Sequence, residues 1–287
     1  MFTIAGVTGR VGSAAAARLL AEGRPVRALV RDASKGRAWS QRGADVAVAD
    51  LGDRARLAEA LRDADGFFTL LPFDLTVTDF QADARRLVAS IAGAVADSGV
   101  PHVVALSSAG ADLAEGTGPI VGLHLLEEEL RATGTVVSSI RSGHFQEKVV
   151  DVLDAARYQG IYPSFGSADV PRPMVATRDV GEVAAEALLR PPASSEAVDL
   201  EGPAYSERDV ARALGAALGR PLQVVEIPQP GWVDTLVEAG FSRHIAEVLS
   251  GLYDADERGV LQPRGDRRVR CSTPIDVTLH DMVRRAA

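Results

Sequence analysis

The 287-residue sequence holds a single cysteine, Cys271, and only two lysines, Lys35 and Lys148. One thiol excludes any intrachain disulfide and any cysteine metal cluster, and His102, His244 and His280 show no ligand spacing with each other or with carboxylates, so no metal site is expected. Positive charge is in deficit: 31 Lys and Arg stand against 39 Asp and Glu, a net charge of −8. Nonspecific nucleic-acid binding needs clustered positive charge to displace counterions, so no nucleic-acid partner is expected. A local basic pocket for one phosphate is still allowed. No apolar stretch reaches the ~18 residues that span a bilayer, and no charged-then-apolar leader opens the chain. A soluble cytoplasmic protein without membrane contact is the expectation, and a homo-oligomer is compatible with it. What remains is ordinary for a globular chain, 46% apolar and 24% charged, at a length suited to one large domain or a domain with a smaller appendage.

Two periodicities alternate through the first half. Apolar β-like runs at Phe2–Ala5, Val26–Val30, Val46–Ala49, Phe67–Leu71, Val103–Leu106 and Val136–Ile140 are separated by helix-like segments at Ser13–Glu22, Arg54–Ala64, Asp79–Asp97 and Leu123–Ala132. Gly23, Gly99 and Gly134 sit where a residue tolerating positive φ closes a last turn. Strands alternating with helices imply right-handed βαβ units and a doubly wound parallel sheet covered on both faces. Continuous rather than alternating apolar runs suit strands buried on two sides. After about residue 142, Pro163, Pro171 and Pro173 break the rhythm. A helix is expected from Asp179 to Leu189 and a strand at Val198–Leu200. A helix opened by the Ser206/Asp209 capping-box spacing follows, then a strand at Leu222–Ile227 and two helices parted near Gly240.

The motif that points to chemistry is Gly6-Val-Thr-Gly9-Arg-Val-Gly12, between the first strand and the first helix. A strand turning tightly into a helix aims free N–H groups and the positive end of the dipole at one spot, where a pyrophosphate fits if no side chain blocks it. Gly6, Thr8, Gly9, Arg10, Val11 and Gly12 are therefore expected to bind a dinucleotide; the competing reading is a turn needed only for close strand–helix packing. The second strand ends Leu29-Val30-Arg31, with Lys35 four residues on. Arginine there suits a ribose 2′-phosphate, which it grips in a bidentate way, and this favours NADP(H) over NAD(H). Asp32, one residue along, is the counter-argument, since an acidic side chain can accept from the 2′-OH instead. Asp50, followed by Leu51, is a candidate acceptor from the adenine amino group or, alternatively, a helix cap. Leu70, Leu71 and Pro72 end the fourth strand and Ser107 and Ser108 the fifth, at the carboxyl edge where ligands of such sheets collect.

These residues resemble the NmrA-like branch of the atypical short-chain dehydrogenases/reductases. The resemblance rests on Gly6–Gly12, Val30-Arg31, Val48-Ala-Asp50-Leu51, Ser107-Ser108, His124-Leu-Leu-Glu127-Glu-Glu-Leu130, Ser139-Ile-Arg141-Ser-Gly143-His-Phe145 and Pro173-Met-Val-Ala-Thr-Arg-Asp179-Val180. It implies a Rossmann-type domain over 1–150 with a returning segment near 176–203. It also implies a smaller discontinuous α/β lobe over 151–175 and 204–287, with the substrate cleft between them. It further implies an NAD(P)H-dependent reductase of a quinone-like or conjugated small molecule, quinone and azo reductases being among the family's members, or, alternatively, a regulator that binds the dinucleotide without turnover. The Tyr-xxx-Lys pair of short-chain dehydrogenases is missing: four residues before the two lysines stand Arg31 and His144. By the family pattern His124 takes the lysine's place and Ile120 the tyrosine's. An unactivated ketone would then lack its proton donor, a loss of about 10²–10⁴-fold, whereas a quinone yields a stabilised phenolate. His124 is thus a candidate catalytic and cofactor-binding residue, or else a helix-start histidine bonding backbone carbonyls. Phe73, His144 and Phe145 are candidates for the substrate side, with Phe145 alternatively a core plug. Trp232, Phe241 and Tyr253 suit cleft lining and core packing equally.

Overall fold

A computed structural model describes residues 1–285. The first half runs β1 (Phe2–Ile4), α1 (Arg10–Ala21), β2 (Val26–Val30), α2 (Ala33–Ser40), β3 (Asp45–Val48), α3 (Arg54–Leu61), β4 (Gly66–Thr69), α4 (Phe80–Ser98), β5 (His102–Ser108), α5 (Val121–Ala132) and β6 (Val136–Ser142). Next come β7 (His144–Phe145), β8 (Ile161–Phe165), β9 (Arg172–Val175), α6 (Thr177–Leu189), β10 (Glu196–Glu201) and β11 (Ala204–Tyr205). The chain finishes with α7 (Glu207–Leu218), β12 (Gln223–Ile227), α8 (Trp232–Glu238), α9 (Arg243–Glu257), β13 (Arg267–Arg270) and α10 (Ile275–Arg285).

Eight strands make one parallel sheet in the order β13-β10-β6-β5-β4-β1-β2-β3. The order reverses between β1 and β4, which opens a crevice at the carboxyl ends of those strands. Successive side chains point to opposite faces, so Phe68 joins the core under α1 and α6 while Phe67 joins the core under α3, α4 and α5. Gly181 brings α6 onto α1, because a Cβ there would overlap Ala14. A two-stranded and a three-stranded sheet, β12-β8 and β11-β9-β7, belong to a smaller unit with its own apolar core, which includes Tyr162, Val210, Leu214 and Leu279.

Two features differ from the expectation. Residues 204–287 are not confined to the smaller lobe: β13 returns to the main sheet and pairs with β10, Val198 opposite Arg267. A strand reading Arg-Arg-Val-Arg has no apolar run to announce it, because it is an edge strand whose side chains are largely exposed. Helix α2 was likewise not expected, since Gly36 interrupts its pattern. That glycine is buried where a Cβ would overlap Val46, so it is what lets α2 lie against β3.

Candidate functional site

The turn after β1 is built from its glycines. Gly6 has φ +64°, and the Gly9 amide donates back to the Gly6 carbonyl at 2.9 Å. Gly9 is the N-cap of α1, with no side-chain cap and no acidic residue in the first turn. By contrast Asp32, Asp53, Asp79, Ser206 and Ser242 cap α2, α3, α4, α7 and α9 with their side chains. The first amides of α1, like those of α5, α6 and α8, thus have no side-chain cap. A Cβ on Gly12 would stand 2.5 Å from the carbonyl oxygens of Ala5 and Gly6, so the helix start is pressed directly on the strand end. Thr8, Gly9 and Arg10 are exposed, and Val11 is buried. This cradle fits a dinucleotide pyrophosphate.

Arg31 and Lys35 are exposed beyond β2. Arg31 makes no salt bridge among the described residues; its field reaches Asp74, whose carboxyl is held below its ordinary range chiefly by hydrogen bonds from Thr76. Asp32 is already engaged: Oδ1 accepts from the Ser34 amide at 2.8 Å and Oδ2 from the Ser34 hydroxyl at 2.9 Å. Those two bonds hold its carboxyl below the usual range. Asp50 accepts from the Gly52 amide at 2.7 Å, and the cap of α3 is Asp53.

A cavity of about 950 Å³ opens at the carboxyl edge of the sheet, within the range of small-molecule sites. Of the expected residues, Leu70, Leu71, Phe73, Ser107, Ser108, His144 and Phe145 line it. The glycine turn, Arg31, Lys35, Asp50, Leu51, Pro72 and His124 lie outside its wall. The turn still abuts it through Leu70, whose side chain fills the space a Cβ on Gly6 would need. His124 bonds the Ala111 carbonyl through Nδ1 at 2.9 Å, the carbonyl-bonding alternative, and nothing in this geometry hands it a proton-transfer role. Trp232 and Tyr253 pack edge-to-face at 5.7 Å, and neither they nor Phe241 reach the cavity.

The smaller unit closes the opposite wall with Val170–Pro173, Leu252, Asp256 and the 259–263 loop. Several wall residues had no sequence signal. Arg141 is buried and held by Glu127, with Nε to Oε1 at 2.9 Å and Nη2 to Oε2 at 2.7 Å; the Ser107 hydroxyl donates to the same carboxylate. Both belong to stretches read for their family pattern, yet no spacing pairs positions 127 and 141. Asp256 on α9 accepts from His144 Nε2 at 3.2 Å and pairs with Arg172 Nε at 2.7 Å. Burial alone would raise the Asp256 carboxyl, but His144, Arg172 and Lys148 together hold it below its ordinary value. Asp199 and Cys271 complete the wall. Burial pushes the Asp199 carboxyl up and the Cys271 thiol up to about 11. Among the described residues no group of three or more His, Cys, Asp or Glu is placed to hold a metal ion, and no helix is long and apolar enough to cross a membrane.

A doubly wound α/β sheet with a glycine turn at its switch point, an uncapped first helix and a covering lobe defines a dinucleotide-binding protein of the short-chain dehydrogenase type. Residues 1–269 match the NmrA-like family, and the chain belongs to it. It is 31% identical over 258 residues to an NAD(P)H azoreductase of Xenophilus azovorans, covering 88% of this chain and 86% of that protein. It is 32% identical over 262 residues to a (4-alkanoyl-5-oxo-2,5-dihydrofuran-3-yl)methyl phosphate reductase of Streptomyces griseus, covering 90% and 86%. In fold it resembles the NADPH-dependent quinone oxidoreductase of Escherichia coli solved with NADPH, with TM-score 0.80, 20% identity and coverage of 98% and 99%.

Proposed function

We propose that this chain is an NADPH-dependent oxidoreductase that passes hydride to a quinone-like or otherwise conjugated small molecule. The observation that carries the reading is the cavity at the carboxyl edge of β4, β5 and β6: largely apolar, roomy enough for a ring system, and without a tyrosine or lysine in its wall. When bound, the reduced nicotinamide supplies the hydride. The chain's own contribution is binding, orientation and exclusion of water. The first amides of α1 would hold the pyrophosphate. Arg31, with Lys35 nearby, would clasp the 2′-phosphate. Asp32 is spent as the cap of α2, which supports NADP(H) over NAD(H). Leu70, Leu71 and Phe145 would wall the reacting rings, and Ile120, Leu123 and Leu252 keep the space apolar.

A quinone fits this site because its two-electron reduction leaves a stabilised phenolate, which survives without a dedicated acid. The reductase relatives support the same class of chemistry. The large cavity beside the cofactor turn supports turnover of a small molecule over dinucleotide sensing alone. The reading carries with it a small-molecule partner and a cytoplasmic setting, where reduced dinucleotide is renewed. Titration with NADPH and NADH, followed by an acceptor panel, tests it. We expect tighter NADPH binding and loss of nicotinamide absorbance on addition of quinones. Stoichiometric NADPH binding with no acceptor-dependent oxidation would instead support a sensor.

A further inference from the structure

We propose that His144 is the general acid this site uses when the acceptor is an azo compound, and that Asp256 positions it; the proposal rests on the reductase reading above. His144 stands on β7 in the cavity wall next to Phe145. Its Nε2–H donates to Asp256 Oδ1 at 3.2 Å, while Asp256 Oδ2 is anchored by Arg172 Nε at 2.7 Å. With Nε2 committed, Nδ1 is the nitrogen left to a substrate; no residue among those described bonds it. The charges facing the imidazole are Asp256 from α9, Arg172 from β9, and the Lys148–Glu207 pair, in which Glu207 from α7 also feels His144. Arg172 is shared between Asp256 and Glu257, so the Asp256 carboxylate faces the ring from an anchored position.

The other wall groups are poor acids. Ser107 gives its proton to Glu127, Ser108 gives its own to the Ala109 carbonyl, and Cys271 is held as a thiol. Asp199 Oδ1 has no partner but is sealed from solvent.

An azo acceptor needs what a quinone does not. Hydride addition to one nitrogen of Ar–N=N–Ar breaks the N=N π bond and leaves its electron pair on the other nitrogen as a strongly basic anion. A proton must arrive there as the anion forms. The imidazolium supplies it from Nδ1, giving Ar–NH–NH–Ar and neutral His144, which regains a proton from solvent. The dinucleotide is oxidised by two electrons and the azo compound is reduced by two.

The test compares wild type with His144→Asn and His144→Gln on two acceptors, a 1,4-naphthoquinone and a 4-aminoazobenzene, and includes one measurement without dinucleotide. We expect azo reduction to fall at least about 100-fold in both variants, and at least about tenfold further than quinone reduction, which shares the pocket but does not need the acid. The visible band of the aminoazobenzene bound to dinucleotide-free protein should shift to the red in wild type, as the imidazolium hydrogen-bonds the azo nitrogen, and lose that shift in the variants. Azo and quinone rates falling together, an unchanged azo rate, or an unshifted band in wild type would each overturn the assignment while leaving quinone reduction by wild type intact. Wild-type protein that oxidises NADPH with neither acceptor would sink the reductase reading as well, a failure the wild-type control reveals by itself.

Discussion

Arg141 on β6 and Glu127 on α5 meet side-on, Nε to Oε1 and Nη2 to Oε2, with both residues buried. Burial works against the guanidinium charge, yet the paired carboxylate keeps its proton affinity above the ordinary value. Arg131 Nη2 reaches the same carboxylate from the next helical turn at 2.9 Å. Glu127→Ala would strand a buried cation at the cavity wall, so a loss of about 3–5 kcal/mol is expected. Urea denaturation should show a lower midpoint with an unchanged slope, and Glu127→Gln should lose less.

Arg31 is exposed and makes no salt bridge among the described residues, while Asp32 is locked by Ser34. Arg31→Ala should weaken NADPH binding by roughly 10- to 150-fold, the worth of a charge-assisted bond. NADH binding should move by no more than about threefold. Fluorescence titration with both dinucleotides reads the difference, and equal losses would deny Arg31 its selective role.

Gly12 cannot take a side chain without moving backbone, since the oxygens of Ala5 and Gly6 already occupy the space. Gly12→Val is expected to lift the start of α1 from β1, lowering stability by about 1–3 kcal/mol. Dinucleotide binding should be lost along with it. Calorimetry and titration on the same preparation check both effects.

His102 is buried on β5 with Nε2 at 3.0 Å from the Ser138 hydroxyl, and burial brings its pKa down from 6.5 to about 4. The unfolded chain therefore binds a proton that the folded one refuses between those values. Stability should be fullest above about pH 6.5 and fall as pH drops towards 4, by up to about 3 kcal/mol. His102→Gln should flatten that acid limb in a series of thermal melts.

Cys271 lines the cavity, with its thiol pushed up to about 11 by burial and then by Asp179. Thiolates add to quinones, so a protonated thiol keeps this wall from being modified by an acceptor of the proposed kind. Native protein at pH 8 should react with iodoacetamide at least about 100-fold more slowly than unfolded protein.

Much of this was legible because local rules and packing agree. The Phe67-Phe68 run marks a strand buried on both faces, and Ser206 with Asp209 forms the capping box its spacing announced. The glycine turn was readable for the same reason, its residue type dictated by backbone contact. The sites that escaped are those made by distance. His144 and Asp256 are 112 residues apart, and neither position carries a pattern that names the other. His124 was readable only as a pair of alternatives, since a half-buried histidine at a helix start serves a carbonyl or a ligand equally well.

Strand β13 closes the sheet beside β10, whose Val198 and Leu200 are buried. During synthesis, β10 emerges about seventy residues before its neighbour exists, and until then it presents an unfilled row of backbone donors and acceptors. The nascent chain thus passes through an interval of adhesiveness that ends only when β13 leaves the ribosome, and the arginines of β13 then form the charged rim that discourages further strand addition.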